Sequence, residues 1–85
     1  MVVYKYPIKI SDIVELELPA GAEILHVEAQ NDKLCLWALV DPEKPILNRR
    51  IRIAGTGHTI KENIIRYINT FTLYEKALWF HVFEI

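Results

Sequence analysis

The chain has very little of what nucleophilic, metal or disulfide chemistry requires. Its one cysteine, Cys35, has no partner for an internal disulfide and lies in an apolar run, where a buried and inert thiol is the default. Ser11, the only serine, sits in a turn with no base beside it. His26, His58 and His81 have no close ligand spacing and no supporting Cys or Asp cluster, which argues against zinc. Glu15 and Glu17 share an alternating strand face that solvation explains fully, so no acid–base pair stands out. The expectation is a protein that is not an enzyme and holds neither metal nor cofactor.

Net charge is also lacking. At −1 overall, with a pI near 6.3, the chain has no broad positive field for long nucleic acid, although Arg49, Arg50 and Arg52 make one local basic patch. Any anionic partner is therefore expected to be small. No signal-peptide pattern opens the chain and no apolar run reaches membrane-span length, so the expected compartment is the cytoplasm, without membrane contact. Eighty-five residues, 52% of them hydrophobic, make one domain over 1–85 near the lower limit of independent folding. A second copy would help to bury apolar surface, and a homo-oligomer is expected.

What is present is β-patterning. Met1–Ile10 reads as a strand, with Pro7 marking an edge or bulge. Ile13–Leu18 alternates, Val14, Leu16 and Leu18 inward and the glutamates outward. In Glu23–Gln30 the same rule turns Leu25, Val27 and Ala29 inward and leaves Ile24 with His26 and Glu28 outside. After an Asn31-Asp32 turn, Lys33–Val40 is apolar on both faces, the mark of a central strand. Ile46–Ala54, Ile64–Leu73 and Ala77–Ile85 complete the set; Phe71, Trp79, Phe80 and Phe83 are assigned to the core with Trp37, whereas Tyr4, Tyr6, Tyr67 and Tyr74 could supply ring faces for stacking a base. The expected fold is all-β: a small sandwich or barrel of six to seven mostly antiparallel strands.

The densest positive charge meets the only Gly-x-Gly turn in Asn48–Thr59. Alternation puts Asn48, Arg50 and Arg52 on one face of this strand, leading into Gly55-Thr56-Gly57-His58. Backbone N–H groups beside guanidinium groups make a receptor for phosphate or carboxylate. The same residues also make an ordinary capped hairpin with solvated arginines, and spacing does not choose between the two.

Lys5-Tyr6-Pro7, Leu18-Pro19-Ala20-Gly21-Ala22, Leu36–Asp41, Gly55-Thr56-Gly57-His58, Tyr67-Ile68-Asn69-Thr70 and Phe80–Glu84 together resemble a family of short proteins encoded by bacteriophages and prophages. The similarity spans nearly the whole chain. That family usually has glycine where this chain has Asn69, and asparagine tolerates the left-handed region a turn or bulge there would use. The family in turn looks related to phage anti-CBASS sponge proteins, which oligomerise and sequester cyclic dinucleotides such as 3′3′-cGAMP. This resemblance implies that Arg50, Arg52, Gly55, Thr56, Gly57 and His58 hold phosphates while Tyr67 or Trp37 stacks on a base, in the cytoplasm of a bacterial host. The alternative is a small phage module that binds a host protein and no small molecule.

Overall fold

The computed structural model describes residues 1–31 and 33–85. Seven strands form two sheets: β1 (Val2–Ile8), β2 (Ile13–Pro19), β3 (Glu23–Gln30), β4 (Lys33–Val40), β5 (Ile46–Gly55), β6 (Arg66–Leu73) and β7 (Leu78–Glu84). One sheet runs β1-β4-β3 and the other β2-β5-β7-β6, with every pairing antiparallel. The all-β expectation holds, as a seven-stranded sandwich. Of the expected Asn31-Asp32 turn, Asp32 lies outside the described residues, while Asn31 has the left-handed φ of 51°. Among the described residues no helix is long and apolar enough to cross a membrane.

Period-two alternation explains most of the core. The doubly apolar β4 is the middle strand of its sheet, and Leu34, Leu36, Ala38 and Val40 all point between the sheets. They meet Val14 and Leu18 of β2, Ile51 and Ile53 of β5, Phe71 of β6 and Val82 of β7. Phe80 stacks on Phe71 with ring centroids 5.4 Å apart. Tyr6 packs at the margin of this core, and burial, with Tyr4 as the lesser cause, holds its phenol above the ordinary value.

Two bulges overturn strict alternation. In β3 the register slips between Ile24 and His26, so Leu25 is the extra residue: Ile24 is buried and Leu25 is 41% exposed, the reverse of the expected facing. In β6 it slips between Tyr67 and Asn69, which carries Tyr67 to the outer surface beside Phe83 and sets Ile68 against the core. Trp79 is likewise outside, half exposed, because Phe80 and Val82 take the inward positions of β7.

The bulges face each other where β3 and β6 close one side of the sandwich. Asn69 acts there as a substitute strand partner: its carbonyl oxygen accepts from the Val27 N–H and its amide donates to the Val27 carbonyl, both at 2.8 Å. Asn69 is not among the positive-φ residues, so its value is the side-chain amide rather than tolerance of a left-handed backbone. Asn69→Ala orphans both Val27 groups, at about 1 kcal/mol or more each, and should lower stability by roughly 2 kcal/mol. Urea unfolding reads that loss, and faster hydrogen exchange at the Val27 amide would place it; unchanged exchange there would contradict the bridging role.

A second tie lies at the end of the sandwich near the β2–β3 turn. Glu84, with its side chain 9% exposed, accepts from Arg49 Nε at 2.6 Å and faces Arg66 Nε at 3.7 Å. The two arginines reach on to β3 and the turn before it: Arg49 Nη1 donates to the Ala22 carbonyl at 2.9 Å, and Arg66 donates to the Ile24 carbonyl. One buried carboxylate thus orients two forks that span both sheets.

Candidate functional site

β5 and β6 are separated by β7, so the chain crosses the sheet between Gly55 and Arg66. That crossover decides the fate of Arg52. The residue is 7% exposed, and its guanidinium donates to Glu62 Oε1 (3.0 Å) and to the carbonyls of Asp12 (3.2 Å), Ile53 (2.6 Å) and Thr59 (3.1 Å). The cation expected to meet a phosphate instead pins the crossover to β5 and to the start of β2. Burying an arginine requires this many acceptors, and the crossover backbone supplies them.

The Gly55–His58 turn is also occupied with itself. The His58 N–H donates to the Gly55 carbonyl at 3.0 Å and the Thr56 N–H to the Trp79 carbonyl at 3.4 Å, so these two amides are paired within the protein. Gly57 has φ of 89°, a conformation that favours glycine. The His58 ring lies over Gly55, where an added Cβ would meet its Cε1 at 3.0 Å and its Nδ1 at 3.1 Å. His58 itself is exposed.

The structure brings Thr56 and Tyr67 into one chain of hydrogen bonds through Thr70 and through His81, which the sequence alone suggested only as a candidate metal ligand to be set aside. His81 Nε2 meets Thr56 Oγ1 at 2.7 Å, His81 Nδ1 meets Thr70 Oγ1 at 3.0 Å, and Thr70 Oγ1 meets Tyr67 Oη at 2.8 Å. Hydroxyls flank both ring nitrogens, so either neutral tautomer is satisfied. Trp37 is not part of this group: it lies on the outer face of the other sheet, its ring 6.1 Å from that of His26. Arg50 is exposed on β5 opposite Glu15 and forms no ion pair among the described residues.

A concavity lies elsewhere, a groove of about 840 Å³ assembled from β1, the β3–β4 hairpin and the β6–β7 turn. Ile8, Ile10, Leu34 and Leu73 make its apolar lining, Lys9 and Lys33 its charges, and Tyr74 its aromatic wall; no carboxylate lines it among the described residues. That volume falls in the range of about 300–1,000 Å³ typical of small-ligand sites. Tyr74, Glu75 and Lys76 have φ of 53°, 53° and 70°, three left-handed residues in succession without a glycine. A bulky residue held there stores strain on the order of 1–3 kcal/mol, and such strain gathers at ligand sites. Residues 7–10, 29, 33–34 and 73–74 come from distant parts of the sequence, and no local pattern marks them as one site.

Against this geometry stands one family match. The family described as a domain of unknown function (DUF7352) matches residues 1–85. The chain belongs to that family. No curated protein and no solved structure matches it. The family description names no ligand or activity, so the site is read from its own residues.

Proposed function

We propose that the chain binds a small organic anion with an apolar or aromatic body and holds it without chemistry. The observation that carries this reading is the groove itself: an apolar lining, a strained tyrosine at its edge, and two lysines. A base or ring packs on Ile8, Leu34 and Tyr74 while phosphates meet Lys9 and Lys33. The resemblance to phage sponge proteins favours a cyclic nucleotide such as 3′3′-cGAMP as that anion, sequestered in the host cytoplasm so that an immune effector stays off. Sequestration needs affinity alone, without a chemical step.

A thermal-shift screen against cyclic dinucleotides and trinucleotides, with mononucleotides and oligonucleotides as controls, tests the proposal. At a hundredfold excess over Kd, a ligand of the folded state adds about 2.7 kcal/mol, which raises Tm by roughly 15 °C in a domain of this size. Lys9→Ala with Lys33→Ala should abolish the shift and leave the unliganded Tm within a few degrees. Intact nucleotide recovered after denaturation would establish holding without turnover. No shift across the panel would move the reading to a module that binds host protein.

A further inference from the structure

The side of the sandwich opposite the β3–β6 closure is open. It is bounded by β1, an edge of the three-stranded sheet, and β2, an edge of the four-stranded one, and a groove of about 380 Å³ runs between them. The core is unfinished along this seam. Val2 and Tyr4 pair with the fully buried Val40 and Ala38 and so point inward, yet they are 37% and 43% exposed. Leu47, on the inner face of β5 with Ile51 and Ile53, is 52% exposed at the same end of the molecule. Both edges carry backbone groups with no strand partner, a template for pairing with another chain.

The edges differ in charge. β1 has Lys5 and no acid; β2 has Glu15 and Glu17 and no base. Lys5 lies on the outer face of its sheet, opposite Trp37, and donates to Gln30 Oε1 at 3.0 Å, with further donors to spare. Glu15 and Glu17 lie on the outer face of the other sheet; Glu15 stands opposite Arg50, whereas Glu17 stands opposite Asn48 with no cation across from it.

Two two-fold arrangements close such a side against itself. An axis along the sheet normal sets β1 against the partner's β1 and β2 against the partner's β2, which opposes lysine to lysine and glutamate to glutamate. An axis along the strands sets each β1 antiparallel to the partner's β2. It also joins the outer face bearing Lys5 to the partner's outer face bearing the glutamates. Charge selects the second. The geometry points to a homodimer in which each β1 adds to the β2 edge of the other copy, making two continuous sheets and covering Val2 and Tyr4. The seam shares Pro7, Ile8 and Lys9 with the larger groove, but the pairing follows from edge charge and exposed core residues and does not rest on what that groove binds.

Light scattering after gel filtration tests it, with circular dichroism confirming a folded chain. Wild type should run as a dimer. Lys5→Glu alone and Glu17→Lys alone should each weaken dimerisation about tenfold, and the two together should recover it, because each exchanged charge again faces its opposite. A monomeric wild type would overturn the proposal, as would Lys5→Glu without effect, a double variant no better than the singles, or open chains of growing mass. Both positions are exposed, so a failure to fold is not expected. Should Lys5→Glu misfold nonetheless, Glu17→Lys, at a site with no internal partner, still decides by whether it dissociates the dimer.

Discussion

Replacing Glu84 by alanine is expected to lower the unfolding free energy by about 3 kcal/mol or more, a large fraction of the roughly 5–15 kcal/mol available to a domain. The carboxylate is the shared acceptor of Arg49 and Arg66, and without it the half-buried Arg49 guanidinium keeps only the Ala22 carbonyl. Most of the loss belongs to Arg49, since the Arg66 side chain is 42% exposed and water replaces its partner there. Glu84→Gln keeps an acceptor but not the charge and should fall between wild type and alanine. Urea titrations at neutral pH measure all three. A Glu84→Ala midpoint close to wild type would show that the ion pair is not what joins β7 to the start of β3.

The second large effect belongs to Arg52. Arg52→Ala should cost about 3 kcal/mol, because the Asp12, Ile53 and Thr59 carbonyls and the Glu62 carboxylate all lose their donor at once. Arg52→Lys should recover little, since one ammonium cannot reproduce a planar fork that reaches four acceptors. The loss should centre on the crossover, with faster exchange at residues 59–62 in native-state hydrogen exchange. A phosphate-binding Arg52 behaves differently: its alanine variant keeps stability and loses only the ligand-induced shift. That second result would return the site to the Gly55–His58 turn.

The two arginines show how far alternation carries. Arg50 and Arg52 fall on one strand face by parity, and parity is right; what parity does not register is that the crossover covers one of them and leaves the other in water. The same limit applies to Tyr67. Its exposure follows from the bulge between Tyr67 and Asn69, and the bulge is set by pairing with β7 and by the Asn69 bridge to Val27, a residue 42 positions away. Glu84 ends a hydrophobic strand, where a solvated charge would be the ordinary reading, and its burial depends on two arginines from other strands.

The sequence by itself determined the all-β class, all seven strands to within about two residues, the central place of β4 and the inward face of β2. Those features follow from side chains one to eight residues apart, and the pleat repeats every two residues whatever the strand pairs with. The tertiary structure alone decided the pairing order, the two bulges, the burial of Arg52 and Glu84, and the groove built from residues 7–10, 29, 33–34 and 73–74. Each of these depends on which distant segment arrives beside which. That choice is made by burial summed over the whole core, and no local period records it.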